Sequence, residues 1–339
     1  MRKEINRLSL YCMKTKVNKI LIIRFSSIGD VVLTTPVIRC LKQQVDAKIH
    51  YLIKPTFAHI IHENPYVDKI IRLKESLTET ISDLKSENYD LIIDLQKNMR
   101  SYRIGIALQV KTIRFDKLNV RKWLSVKFKW NLLPENKHLV DRYFDALEPL
   151  GIKDDGIGLD YFIMPEDEFD AQELIKGIKY QVLVLGATYF TKRIPKEKCI
   201  DIISAYPGHT LLSGGQDVAD LAKELSMMFP EKVIDYCGKV GLGVSAGFIK
   251  HSSKVVTGDT GLMHIAAALQ KEVVVLWGNT VPQFGMYPYY GHKNTEKHTN
   301  IEVSGLSCRP CSKLGYESCP QGHFRCMMDQ DTTAEIFKA

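Results

Sequence analysis

Nowhere in the 339-residue sequence does an apolar run approach the roughly 18 residues that a bilayer-crossing helix needs. The longest candidates, such as Val182 to Ala187 and Val273 to Trp277, are strand-sized, so no membrane-spanning helix is expected. Residues 1–16 carry charge but lack an apolar stretch of signal-peptide length, which makes export unexpected and the cytoplasm the expected compartment. Compositional extremes are missing too: 45% apolar and 25% charged residues argue against a disordered or fibrous chain. Lys plus Arg at 46 against Asp plus Glu at 39 leaves a net charge of only +7, which suits an anionic partner without naming it.

Cysteine is sparse except in one stretch. Cys12, Cys40, Cys199 and Cys237 are scattered in apolar surroundings and read as reduced core residues. Cys308, Cys311, Cys319 and Cys326 crowd together near His323 and supply enough ligands for zinc. Their spacing is less regular than that of a paired C-x-x-C ribbon, and a structural knot is the favoured reading over a catalytic ion.

What the chain does have is a rhythm of short β-branched runs alternating with helical stretches. Runs at Lys19 to Arg24, Lys48 to Ile53, Lys69 to Leu73 and Leu91 to Leu95, with a helix over Val31 to Gln44, predict a parallel sheet with crossover helices. The rhythm restarts with Tyr180 to Leu185, Thr210 to Leu212, Lys232 to Tyr236, Lys254 to Thr257 and Glu272 to Trp277, so two α/β domains are expected. Gly151 to Pro165, with several Gly and Asp residues, reads as the linker. The expected divisions are an extension 1–16, domains 17–160 and 166–328, and a tail 329–339.

Ligands of open α/β sheets bind beyond the carboxyl ends of strands, which directs attention to two loops. The first strand runs into Ser26-Ser27-Ile28-Gly29-Asp30. An Asp beside a helix start is commonly an N-cap. Thr35-Pro36 is itself a helix-start signal, however, and a helix beginning there leaves Asp30 in the preceding turn, available as a base. In the second half, Gly258-Asp259-Thr260-Gly261 precedes an Ala-rich helix. Its glycines permit close backbone approach, and its first-turn N–H groups favour phosphate oxygens, with Thr260 and His264 as added donors. The alternative is that Asp259 caps the helix and His264 packs on the sheet. Lys192 and Arg193, after the strand at Tyr180, are cations placed to offset pyrophosphate charge, and Ser213 to Asp217 repeats the strand-then-glycine pattern.

Taken together, Ile28-Gly29-Asp30 with Thr35-Pro36, Thr191-Lys192-Arg193, and Asp259-Thr260-Gly261 with His264-Ile265-Ala266-Ala267-Ala268 resemble glycosyltransferase family 9, whose best-known members are lipopolysaccharide heptosyltransferases. The resemblance spans about residues 17–328. It implies an α/β GT-B architecture: two Rossmann-like domains with parallel sheets facing across a cleft, the acceptor on the N-terminal domain and the nucleotide sugar on the C-terminal one. It implies an inverting, metal-independent transferase that moves heptose from ADP-heptose to a lipopolysaccharide core or related glycolipid. By motif match Asp30 is the base, and Lys192, Asp259, Thr260, Gly261 and His264 form the donor site. No cofactor and no nucleic-acid partner are expected, and a peripheral place at the inner face of the cytoplasmic membrane is a further expectation that rests on the basic segment from Lys111 to Lys129.

On the acceptor side, Asn98, Arg100 and Arg103, with Lys97, follow the strand at Leu91 and are the acceptor-binding candidates. Lys111, Arg114, Lys117, Arg121, Lys122, Lys127 and Lys129 stand against the single acid Asp116, interleaved with Trp123, Phe128 and Trp130, a pattern suited to an anionic membrane surface or phosphorylated glycolipid. A solvated helix with aromatic core anchors would read similarly. Two rival functions are a sugar-nucleotide binder or epimerase of the same architecture and an NAD enzyme. For the latter, Gly241-Leu242-Gly243-Val244-Ser245-Ala246 fits G-x-G-x-x-A, but those glycines stand several residues past the strand they should follow.

Overall fold

The structure is a computed structural model and describes residues 17–175 and 177–332. The extension 1–16, with Cys12, and positions 333–339 of the tail lie outside the described residues. Two units are present, each with its own sheet.

In the first unit, β1 (Lys19–Ile23), β2 (Lys48–Ile53), β3 (Lys69–Arg72), β4 (Leu91–Asp94) and β5 (Thr112–Arg114) form an all-parallel sheet in the order β3-β2-β1-β4-β5. The strand order reverses between β1 and β4, where Ile20 pairs with both Ile49 and Leu91. That reversal makes the crevice at the carboxyl ends of β1 and β4 the expected binding position. β5 was not anticipated, because Thr112-Ile113-Arg114 is a three-residue, half-exposed edge strand, too short for its two β-branched residues to stand out as a run.

The helix expected over Val31 to Gln44 is two helices, Ile28–Val32 and Thr35–Gln44. Pro36 has no N–H to give the Val32 carbonyl, so a continuous helix would lose a bond there. The hydroxyls of Thr34 and Thr35 donate instead to the carbonyls of Val31 and Val32, at 2.7 and 2.8 Å. The break is thus stabilised locally, and Asp30 is held in a helical turn just ahead of Pro36.

The second unit carries β6 (Tyr180–Val184), β7 (His209–Ser213), β8 (Val233–Asp235), β9 (Val255–Thr257), β10 (Val273–Leu276) and β11 (His298–Ile301), all parallel, in the order β11-β10-β9-β6-β7-β8. Here the order reverses between β6 and β9. The period-2 alternation of a strand divides the core cleanly. Leu183, Leu212, Val256 and Val274 pack with Ile202, Ala222 and Leu225 on one face, while Val182, Leu211, Val255 and Val273 pack with Phe248, Met263 and Ala266 on the other. Both faces are covered by helices, which explains the near-continuous apolar strands. The edge strand β11, His298-Thr299-Asn300-Ile301, is too polar to have been read as a strand.

The division between the units is not a single cut between residues 160 and 166: 118–136 clusters with the second unit and 291–294 with the first. The stretch read as linker is also fixed in place up to Phe162. Buried Arg39 donates to both carboxylate oxygens of Asp155 (2.7 and 2.9 Å), to the Gly158 carbonyl (2.8 Å) and to Asp160. The Gly and Asp residues that resemble linker composition are therefore the ligand set of a buried guanidinium.

Candidate functional site

In the first unit the chain leaves β1 through Arg24. Although buried, Arg24 satisfies its guanidinium by donating to the Ser26 carbonyl (3.0 Å) and the Leu95 carbonyl (2.5 Å), and its Nη2 lies 2.5 Å from Asp30 Oδ1. The other oxygen of Asp30 accepts from the Ser27 hydroxyl (2.9 Å) and the Ser27 N–H (3.3 Å). Asp30 is thus not an N-cap. It is the third residue of its helix, closing a capping box back onto Ser27. Burial pushes its carboxyl up, but the Arg24 charge and the Ser27 bonds override this and hold it below the ordinary carboxylate range. Lys117, grouped with the basic strip from sequence, belongs to this site: burial lowers its pKa, the Arg24 charge lowers it further, and Asp30 opposes the shift.

Beyond β4, buried Asp94 accepts from Arg114 Nε (2.9 Å), the Ser101 hydroxyl (2.9 Å) and the N–H groups of Gln96 (3.1 Å) and Lys97 (2.7 Å). It shapes the loop to Asn98 and commits Arg114, which also covers the Tyr102 ring at 4.1 Å. Asn98 caps the helix Met99–Leu108 by accepting from the Ser101 N–H at 3.0 Å. Arg100 and Arg103 are exposed on that helix. Sequence reasoning missed Arg24 and Asp94. The available signal was a charged residue at the end of each strand that flanks the order reversal.

In the second unit, the loops after β6 and β9 flank the other reversal. Lys192 closes a short turn after β6, and its ammonium lies 2.7 Å from Asp259 Oδ2. That oxygen also accepts from the Thr280 hydroxyl at 2.9 Å. Thr260 caps the helix Gly261–Ala268 by accepting from the Met263 N–H at 3.3 Å, and its hydroxyl lies 3.0 Å from that of Thr257. Asp259 therefore ties the Lys192 turn and the loop at Thr280 to the helix start, while capping falls to Thr260. Lys192, Asp259, Thr260 and Gly261 are partly exposed, whereas His264, one turn into the helix, is buried. Arg193 is committed to Asp217 at 2.5 Å.

The cysteine-rich segment braces this site. Arg309 donates to the carbonyls of Gly278 (2.8 Å) and Thr280 (2.9 Å), and the Tyr316 N–H donates to the Thr191 hydroxyl at 2.9 Å. Burial pushes the thiols of Cys311 and Cys326 up, away from the thiolate form. Cys308 Sγ lies 4.0 Å from His323 Nε2. Among the described residues, the His, Cys and acidic groups near enough to share one ion are Asp141, Asp154 and His292, and Cys40, Asp154 and Asp155, all in the first unit.

The NAD-like pattern does not follow its strand: β8 ends at Asp235, well before Gly241. A Cβ on Gly243 would meet the Asp167 carboxylate of the helix Pro165–Leu174, and one on nearby Gly247 would meet Ala171, so these two glycines let two helices pack closely, whereas a Cβ on Gly241 would meet nothing.

Residues 77–315 match glycosyltransferase family 9 (heptosyltransferase). A lipopolysaccharide heptosyltransferase 1 of Campylobacter coli is 24% identical over 290 residues, covering 77% of this chain and 84% of that protein. The solved family 9 glycosyltransferase of Veillonella parvula superposes with a TM-score of 0.71 at 22% identity, covering 85% of this chain and 87% of that one. The E. coli heptosyltransferase WaaC, solved with ADP, superposes with a TM-score of 0.63 at 23% identity, over 83% and 92% of the two chains. Likeness at these identities shows the fold, the GT-B architecture with two Rossmann-like domains. With more than half of its length matched by the family, and with its two parallel α/β units, this chain belongs to glycosyltransferase family 9 and is a glycosyltransferase.

Proposed function

We propose that the enzyme transfers heptose from ADP-heptose to a hydroxyl of a lipopolysaccharide core or related glycolipid on the cytoplasmic side of the membrane. Transfer inverts the anomeric carbon and needs no metal ion. The observation that carries the reading is Lys192, held by Asp259 beside the start of the helix Gly261–Ala268, where the second sheet reverses its strand order. A fixed ammonium next to first-turn N–H groups suits a diphosphate.

In this reading the acceptor oxygen attacks the anomeric carbon as the bond to the diphosphate breaks, and the bonding electron pair leaves with ADP. Asp30 takes the hydroxyl proton. Lys192 and the N–H groups at Thr260 and Gly261 stabilise the charge that develops on the leaving phosphate, a role that metal ions fill in other transferases. Asp259 positions Lys192 and yields it to the phosphate when the donor binds. Buried His264 supports the first helical turn. Arg100 and Arg103 are the exposed cations available to acceptor phosphates, while Asn98 shapes their helix as its cap.

The test is release of free nucleotide from ADP-heptose, GDP-mannose and UDP-glucose, with and without a lipopolysaccharide-core acceptor, in the presence of a metal chelator. The reading expects acceptor-dependent ADP release that the chelator leaves unchanged, and a product of inverted anomeric configuration by NMR. Preference for a uridine donor would overturn the donor assignment. Turnover that needs no acceptor would point to the epimerase alternative.

A further inference from the structure

The strip from Lys111 to Lys129 does not act as one surface. Arg114 is committed to Asp94 and Lys117 belongs with Asp30, both in the first unit, whereas 118–136 clusters with the second unit. What remains outward is an inverted helix. Over Asn119–Phe128 the chain buries Ser125 and exposes Val120 (70%) and Trp123 (46%), together with Phe128. Trp130 (55%) and Leu132 continue the exposed apolar run.

The aromatics brace one another. Trp123 meets Phe128 edge-on at 5.7 Å, and Phe128 stacks on Trp130 at 5.2 Å. The Lys127 ammonium covers Trp123 at 5.0 Å and Phe128 at 5.3 Å. The inner cations anchor the segment: Lys129 donates to the carbonyls of Cys308 (3.1 Å) and Pro310 (2.7 Å), and Lys122 covers the Phe284 ring at 5.4 Å. No acidic residue occurs between Asp116 and Glu135.

We propose that the outward face of residues 119–132, with Val120, Trp123, Phe128, Trp130 and Leu132 flanked by Arg121 and Lys127, docks on an anionic lipid bilayer. Contiguous exposed apolar surface marks an interaction site. Trp with adjoining cations suits the headgroup level, where ring bodies reach the acyl boundary and ammonium and guanidinium groups meet lipid phosphates. A second copy of the chain fits less well, because a two-fold interface uses the same patch twice and would gather the Arg121 and Lys127 cations of both copies with no acid of this segment to pair them. The inference deepens the glycolipid reading of the acceptor, but the docking step itself needs neither donor nor acceptor.

The structure supplies its own probe. Of the three tryptophans, Trp277 is buried and donates to Asn300 at 2.8 Å, so vesicle-dependent changes in emission report on Trp123 and Trp130. The experiment titrates the full chain with sugar-free vesicles of phosphatidylcholine alone, or mixed with phosphatidylglycerol, including lipids brominated near the headgroup. Expected are a blue shift and bromine quenching with phosphatidylglycerol vesicles, weakened by salt. Arg121→Gln with Lys127→Gln should lower partitioning about tenfold or more. Trp123→Ser with Trp130→Ser should abolish vesicle sedimentation while transfer to a delipidated, water-soluble acceptor stays unchanged.

Equal binding to both vesicle types, or emission that brominated lipid does not quench, would overturn the proposal. So would a dimer in sedimentation velocity that the Trp double variant dissolves, which assigns the face to a second copy. Loss of transfer to the soluble acceptor in that variant would place the face in the sugar site instead. Vesicle results leave the transfer assay untouched, so failure of docking and failure of the glycosyltransferase reading are separately visible.

Discussion

A general base works best when its proton affinity lies near the working pH, and the resting Asp30 carboxylate starts well below it. Arg24 is the main reason, since burial alone would push the group the other way. Asp30→Asn keeps the shape and removes the proposed base. We expect turnover to fall by about 10² to 10⁴, the usual contribution of a positioned base, with ADP affinity by calorimetry unchanged because the proposed donor site lies in the second unit. Arg24→Met tests the tuning. Without the guanidinium the Asp30 pKa rises, so the acid limb of kcat/KM should move to higher pH, and Arg24→Lys should largely restore it. Stability carries the same sign: a carboxylate depressed in the folded state stabilises the protein above its unfolded pKa and loses that contribution as pH falls through its folded pKa. Removing one partner of a fully buried pair costs about 3 to 5 kcal/mol; Arg24 is buried but Asp30 is partly exposed, so urea denaturation at neutral pH should show Arg24→Met destabilised by less than that amount. An acid limb that does not move in Arg24→Met would remove Arg24 from the chemistry.

At the scale of elements, glycine controls how the donor loops meet. A Cβ on Gly258 would collide with the Lys192 carbonyl, and one on Gly278 with the Thr191 carbonyl, so the turn that presents Lys192 depends on both glycines. Gly258→Ala has backbone for its obstacle, not a yielding side-chain end, and should cost about 1 to 3 kcal/mol by overpacking. It should also weaken ADP binding, as Lys192→Ala should, although it deletes no proposed ligand group. Calorimetry with ADP and thermal denaturation of the two variants separate these effects: Lys192→Ala removes a proposed phosphate ligand and the cation of partly buried Asp259 together, while Gly258→Ala removes neither, so affinity lost in Gly258→Ala reports on loop geometry alone. The strands of both sheets were legible because fully buried parallel strands need β-branched runs, and the loops of interest followed from where those runs stop. The edge strands β5 and β11 were not, since partial exposure permits polar residues there. The partners of the site residues were hidden for a related reason: Arg24 with Asp30, Arg39 with Asp155, and Arg309 with Gly278 join positions by folding, and no local spacing encodes such pairs.

Over the whole molecule, the proposed chemistry is divided between units with separate cores: Leu21, Ile92 and Ile104 lie in one, and Leu183, Val256 and Leu276 in the other. In that proposal, proton removal falls to the first unit and stabilisation of the leaving group to the second. The net charge of +7 favours both anionic reactants but does not distinguish them. A ligand that binds one native unit stabilises that unit by mass action, about 2.7 kcal/mol at a hundredfold excess over its Kd, and hydrogen exchange reads where that stabilisation is felt. ADP alone should therefore slow exchange at Lys192 and across Thr260 to His264, and at the braces around Gly278 and Tyr316 that hold those loops. Amides at Ser27 to Val32 should exchange as in the free enzyme, because the proposed scheme gives Asp30 no part in holding ADP. Protection centred on Ser27 to Val32, with the Thr260 helix start unchanged, would exchange the roles of the two units and overturn the donor site as built here from Lys192, Asp259 and the first turn at Gly261.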